Sequence, residues 1–240
     1  MSGLSKQTLS LPSPKVDLPA EADVPDGKTQ PPSILLAPGA GGSHSTPGLV
    51  ALSELIARSG RVSVRFDMEY KALGRRSPPA ADKTDGGFPS ALEAVRDILG
   101  WGSWVVGGKS YGGRVASMLV ARGAIEATGL ILYSYPLHRP GDTSRLRNEH
   151  WPDIGVPCLF LVGTDDQFCR FEAFEDSLPL LGGSGTVLSV EGGGHGLKVP
   201  RSKAPDGKAR SESVALDGLR DGIVAWLASI KQSKISEKKL

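Results

Sequence analysis

The 240-residue sequence predicts one α/β domain with a mostly parallel central sheet and helices on both faces. Short apolar runs, each closed by glycine or a turn, alternate with stretches whose apolar residues recur at helical spacing. That alternation is the pattern of parallel strands joined by helical crossovers. The run Val156 to Val162 has no polar face, so it belongs to a strand covered on both sides. A third observation concerns chemistry. Residues able to transfer protons or attack carbonyls fall just after these runs, where open parallel sheets bind ligands.

Taken in order, residues 1–31 are rich in Pro, Ser, Asp and Lys and are expected to be partly mobile or to form edge strands, such as Gln7 to Leu11. The folded domain is expected over 32–230. Ser33 to Ala37 reads as a buried strand followed by the glycine-rich loop Gly39-Ala40-Gly41-Gly42. Thr46 and Pro47 are the N-cap and first-turn residues of a helix with Leu49, Leu52, Leu55 and Ile56 on one face, ended by Gly60. Arg61 to Phe66 alternates as a strand. Tyr70 to Gly87 is a polar loop, and Pro89 to Leu99 is a helix with Leu92, Val95, Ile98 and Leu99 inward. Trp104 to Val106 is a strand and Val115, Met118, Leu119 and Val120 mark the next helix, which ends at Gly123. Thr128 to Tyr133, Val156 to Val162 and Thr186 to Val190 complete the strands. Phe168 to Leu178 is helical, with Phe171 and Phe174 as its apolar residues. Ser213 to Ile230 is the closing helix, and 231–240 is a basic, solvated tail. Ser134 to Asp153 is irregular and is the one candidate for a short lid.

Composition excludes several classes. A net charge of +2 is too small to imply a nucleic-acid partner. No apolar run approaches the ~18 residues of a membrane span, so no membrane partner is expected. Met1 to Lys15 lacks the apolar core of a signal peptide. Cys158 and Cys169 are too few for a disulfide framework and are expected to be buried free thiols in the cytoplasm. No residues have metal-ligand spacing, and no cofactor is expected.

The stretch Gly108-Lys109-Ser110-Tyr111-Gly112 is a G-x-S-x-G between a strand and a helix, the sequence of a nucleophile elbow. The serine sits on a strained turn above the sheet, so Gly108 and Gly112 must be small. The same stretch superficially resembles the end of a phosphate-binding loop, but Ser103 stands where that loop needs its first glycine. Asp165 and Asp166 follow the Val156 strand, and His195 follows the last strand. The chain order Ser, Asp, His matches one catalytic template at three separate strand ends.

Each residue type has a chemical reason. A serine hydroxyl needs a base to take its proton. An imidazole can take it and return it to the leaving group. A carboxylate fixes the imidazole tautomer. The developing oxyanion needs preorganised N–H donors: the backbone of Tyr111, and one from the Gly39 to Gly42 loop. Asp165 and Asp166 compete for the carboxylate role. Asp67 is the fallback, and His44 lies close enough to the glycine loop to touch substrate. Arg65, Arg75, Arg76 and Arg139 read as solvated cations, with attraction of an anionic group as the alternative.

Several segments carry a resemblance. They are Leu36 to Gly42, Val64 to Asp67, Gly107 to Ala116, Tyr135 to His138, Pro157 to Asp166, and Gly194-His195. Together they resemble the small α/β-hydrolase-like family that includes testis-expressed proteins and a subunit of a histone-acetyltransferase complex. The chain is also similar to small bacterial hydrolases and, more distantly, to dienelactone hydrolases. The resemblance implies an α/β-hydrolase fold with a minimal lid, and its Gly-Thr-x-Asp pattern favours Asp166 as the acid. Pro38 departs from it, since many hydrolases carry His there. The resulting expectation is a serine esterase with Ser110, His195 and Asp166 as its triad. Ala40 and Tyr111 N–H groups form the oxyanion hole, and the substrate is a small acyl compound. The alternative is a non-catalytic interaction module on the same fold.

Overall fold

A computed structural model describes residues 3–100 and 102–230; the basic tail expected at 231–240 lies outside the described residues. The strands are β1 (Leu4–Leu11), β2 (Leu18–Pro25), β3 (Ser33–Ala37), β4 (Ser63–Phe66), β5 (Trp104–Lys109), β6 (Gly129–Tyr133), β7 (Cys158–Gly163) and β8 (Gly185–Val190). The α-helices are α1 (Pro47–Arg58), α2 (Glu69–Ala72), α3 (Phe88–Leu99), α4 (Tyr111–Ala121), α5 (Phe171–Ser177), α6 (Glu212–Gly218) and α7 (Arg220–Ser229). All eight strands join one sheet in the order β1-β2-β4-β3-β5-β6-β7-β8. The pairs from β4 through β8 are parallel, whereas β1 and β2 add an antiparallel edge. The α/β hydrolase fold is therefore the architecture of this chain.

Period-two alternation divides the core between the two faces. From β3 to β7, residues such as Leu35, Val106, Leu132 and Phe160 pack on one side with Phe88, Leu92, Val95, Leu119 and Phe174. Their neighbours Ile34, Val105, Ile131 and Leu159 pack on the other with Leu52, Ile56, Leu216, Ile223 and Leu227. Every residue of β7 is buried, as its unbroken apolar run requires. Chain order reverses beside β3, with β4 on one flank and β5 on the other. The crevice at a topological switch point thus opens between the ends of β3 and β5.

Four local expectations are corrected. The closing helix is split at Leu219 into α6 and α7. Thr46 precedes α1, but its hydroxyl makes no helix cap; it accepts from the Ser43 N–H instead, tightening the preceding turn. Ile98 is 49% exposed, whereas Leu99 beside it packs against the core. The polar loop after β4 also holds α2 and a 3₁₀ turn at Ala81–Lys83. The two cysteines are both buried and unbridged, and burial pushes both thiols up to about 12.

The irregular segment after β6 is pinned at its base. Trp151 is fully buried, with its ring against Tyr135, Phe160 and Phe174. Beside it, His150 Nε2 meets the Ser117 hydroxyl at 2.8 Å, and that hydroxyl donates to the Arg114 carbonyl. Burial, then the nearby Arg114 charge, pulls the His150 imidazole down to about 4. An unfolded histidine has its ordinary value near ~6.5, so the unfolded chain takes up a proton first as pH falls. Stability is therefore expected to decline from pH ~6.5 to about 4 by roughly 2–3 kcal/mol, and to be insensitive to this group above that window. Urea titrations across that range on the wild type and His150→Gln check it: the variant's pH slope is expected to be shallower.

Candidate active site

The elbow is built by close backbone approach. Ser110 links β5 to α4 with φ 49° and ψ −113°, a left-handed conformation that costs a non-glycine residue free energy. A Cβ on Gly112 would lie 2.5 Å from the Pro38 carbonyl oxygen. One on Gly108 would lie 2.1 Å from the Ala37 carbonyl oxygen. Both contacts are sterically forbidden, so Gly112 lets the start of α4, and Gly108 the end of β5, press against the end of β3. Among the described residues, the non-glycine positions with positive φ are Ser110, Ser134 and Leu197. They follow β5, follow β6 and flank His195, so backbone strain gathers around one point.

The three residues expected from sequence meet there. His195 Nε2 is 2.9 Å from Ser110 Oγ, and His195 Nδ1 is 2.8 Å from Asp166 Oδ2. An ionised carboxylate only accepts, so Nδ1 carries the hydrogen and Nε2 is left to accept from the serine hydroxyl. Asp166 is buried and its second oxygen accepts from the Phe168 N–H at 2.8 Å. Asp165 points outward to Lys203 at 3.1 Å. Asp67 is engaged with His44, whose Nδ1 lies 2.9 Å away, so neither joins the Ser110 line. The Phe168 ring lies over the His195 imidazole with centroids 4.5 Å apart.

The loop after β3 faces the serine from the other side. Gly41 N–H donates to the Tyr70 hydroxyl at 2.8 Å, and Gly42 N–H to the Gly39 carbonyl. The N–H groups of Ala40 and Tyr111 have no acceptor among the described residues. These are the two donors expected for an oxyanion. Pro38 leads from β3 into that loop. Its carbonyl is the surface against which Gly112 packs.

Around Ser110 lies a cleft of about 950 Å³. One wall is Pro78 to Asp82, held where the Tyr111 hydroxyl donates to the Pro79 carbonyl. The opposite wall comes from the segment after β6, through Pro136, Arg139, Arg147 and Glu149. From sequence, only that second segment is expected to cover the site. Proline and alanine at 78–81 gave no sign of facing a site. Arg65 is corrected as well. It is fully buried and paired with Glu21 and Asp23, and it donates to the His44 carbonyl. It is a structural cation beneath the glycine loop, not a surface one. Arg75 and Arg76 are exposed, as expected.

Lys109, within the elbow, is only partly exposed. Its ammonium pairs with Glu212 on α6 and lies 5.0 Å from the Tyr133 ring centre. The Tyr133 hydroxyl donates to the same carboxylate and stands 3.4 Å from the Gly196 carbonyl oxygen. The Gly196 N–H in turn donates to Ser134 Oγ. These contacts lock the His195 loop to the ends of β5 and β6. Tyr133 was findable as the last residue of an apolar strand; Glu212, 79 residues further on, had no local signal. Removing one partner leaves the other charge largely desolvated. Glu212→Ala is therefore expected to lower stability by about 2–4 kcal/mol. The pair Lys109→Met with Glu212→Gln is expected to recover part of that loss, measured by denaturant unfolding.

A model of the alpha/beta hydrolase domain matches residues 30–219. Among solved structures, the chain is similar to a dienelactone hydrolase from Anabaena variabilis, with 17% identity over 95% of this chain and 98% of that one and a TM-score of 0.70. It is similar to the esterase Est1E from Butyrivibrio proteoclasticus, solved with ferulic acid, at 14% identity over 92% and 100% of the chains and a TM-score of 0.71. A lidless α/β serine hydrolase from Xanthomonas campestris matches at 21% identity over 94% and 97%, with a TM-score of 0.65. At these identities the structures speak for the fold, and the domain model speaks for descent. With that model spanning most of the chain, and the sheet order and elbow it implies both present, this protein belongs to the alpha/beta hydrolase domain family.

Proposed function

We propose that this protein is a serine hydrolase that cleaves a small ester or thioester through an acyl-enzyme. The reading rests on one observation: the unbroken hydrogen-bonded line from Ser110 Oγ through His195 to the buried Asp166. The esterases and hydrolases among the structural neighbours are consistent with it. We also infer, from the resemblance of the Gly-Lys-Ser-Tyr-Gly-Gly-Arg segment, a place in that family beside the testis-expressed and acetyltransferase-subunit group. A purely structural role gives no account of why Ser110 holds strained backbone beside a histidine and a buried carboxylate.

In this reading Ser110 Oγ attacks the acyl carbon while its proton passes to His195 Nε2. The carbonyl π electrons move onto oxygen, and the oxyanion accepts from the Ala40 and Tyr111 N–H groups. Each such donor contributes roughly 3–4 kcal/mol to the transition state. The C–O or C–S bond then breaks, and the leaving alcohol or thiol takes the proton from Nε2. Water repeats the sequence in reverse: it gives its proton to His195, attacks the acyl-enzyme and releases a carboxylic acid, and Ser110 regains its hydrogen. Asp166 holds the imidazole in the tautomer that both halves need and stabilises the imidazolium. The cleft volume of about 950 Å³ falls within the range of small-molecule sites.

A fluorophosphonate probe is expected to label the wild type and not Ser110→Ala. Failure to label the wild type, or equal labelling of the variant, overturns the proposal. Hydrolysis of 4-nitrophenyl acetate is expected to fall at least about 10³-fold in Ser110→Ala. In Asp166→Asn, which supports the wrong imidazole tautomer, a loss of roughly 10³–10⁴-fold is expected. Asp165→Asn, altering an exposed pair, is expected to stay within about twofold of wild type.

A further inference from the structure

We propose that the cleft binds esters that carry a second, carboxylate group, held by Arg114, Arg139 and Arg147. The proposal rests on the acyl-transfer reading of Ser110 and adds a substrate class to it. All three arginines line the same cleft as Ser110 and His195. Arg114 stands one helical turn beyond the serine, its N–H donating to the Ser110 carbonyl at 3.0 Å. Ser110, Arg114 and Met118 thus share the face of α4 that borders the cleft. Arg139 and Arg147 reach it from the segment pinned by Trp151.

These cations differ from the others that line or underlie the site. Lys109 is paired with Glu212, and Arg65 with Glu21 and Asp23. Among the described residues no carboxylate forms a salt bridge with Arg114, Arg139 or Arg147. The cleft's own carboxylates, Asp82 and Glu149, are both exposed at its edge. Arg114 Nε is buried with no acceptor, an orphan donor within the half-buried side chain. Arg147 is oriented by the Pro136 carbonyl, to which it donates at 3.3 Å. Burial, then the charges of Arg114 and Arg139, push the Arg147 guanidinium below its ordinary value, against a smaller offset from Tyr135 and the exposed Glu149. A bound anion supplies the counter-charge that these cleft-lining guanidiniums lack. The planar fork of a guanidinium fits a carboxylate through two hydrogen bonds. A helical turn separates Arg114 from Ser110, so the charge should sit about 5–6 Å or more from the scissile carbonyl. That is the reach of a short dicarboxylic half-ester.

The test compares kcat/KM for 4-nitrophenyl hemiglutarate with its neutral counterpart, 4-nitrophenyl valerate. A second arm compares 3-carboxyphenyl butyrate with phenyl butyrate, which tells an acyl-side charge from a leaving-group charge. In at least one arm a preference for the anionic ester of roughly 10- to 100-fold is expected, the range of charge-assisted hydrogen bonds. Arg114→Gln and Arg147→Gln are expected to bring that ratio towards one, and Arg114→Lys to keep part of it. Arg139→Gln, at an exposed position, probes the same ratio without threatening the fold. No preference in either arm, or a preference that survives all the glutamine variants, overturns the proposal. If no ester is turned over, the acyl-transfer reading has failed instead. Glutarate binding to Ser110→Ala by calorimetry then decides the anion site separately: binding lost in Arg114→Gln/Arg147→Gln supports it, and no binding overturns it.

Discussion

The contact on which the site depends is the approach of α4 to the end of β3. Gly112, in the first turn of α4, rests on the carbonyl of Pro38, and Gly108, near the end of β5, lies on that of Ala37; an added Cβ at either would clash. That approach forces the chain to turn sharply, and the turn falls on Ser110. The same contact brings the Tyr111 N–H towards the loop that carries the Ala40 N–H. One steric fact thus sets the serine on a sharp turn at the strand end, close against Gly39 in the loop that carries the second donor of the proposed oxyanion hole. The cost of the strained serine is met by the surrounding sheet, whose central strands are buried on both faces.

Two polar assemblies hold this geometry from opposite sides. Under the glycine loop lie Arg65, Glu21, Asp23 and Ser53, with Asp67 gripping His44 and Tyr70 gripping Gly41. Behind the histidine lie Lys109, Glu212 and Tyr133, joined to Gly196 and Ser134. Paired charges of this kind contribute little net stability over apolar packing, but they fix direction, because each partner accepts few geometries. It is fitting that they flank the loops rather than the sheet. Loops lack the repeating hydrogen bonds that orient a strand.

The cleft walls obey a different logic. The segment after β6 is immobilised by Trp151 within an aromatic cluster, yet it extends Arg139 and Arg147 over the site. A fixed base whose charged tips carry no salt bridge among the described residues suits the anion binding proposed above better than closure. It contrasts with Lys109 and Arg65, whose charges are neutralised inside the protein.

Much of this was legible in the sequence because it is local. Alternating apolar runs gave the parallel sheet, and G-x-S-x-G between a strand and a helix marked the elbow. Asp166 and His195 follow apolar strands, and strand ends are where such sheets gather their chemistry. Asp165 and Asp166 were separable only by resemblance, because adjacent residues point in different directions and the chain alone does not say which one faces the crevice. Arg65 looked like a surface cation, since the carboxylates that bury it come from a strand more than forty residues earlier. Glu212 and the Pro78 to Asp82 wall were invisible for the same reason. The sequence by itself determined the fold class, marked Ser110 and His195 and narrowed the acid to Asp165 or Asp166, because period and turn chemistry are encoded within a few neighbours. Only the tertiary structure decided which charges are paired and which are left facing the cleft, because pairing depends on distances between segments that the chain order does not specify.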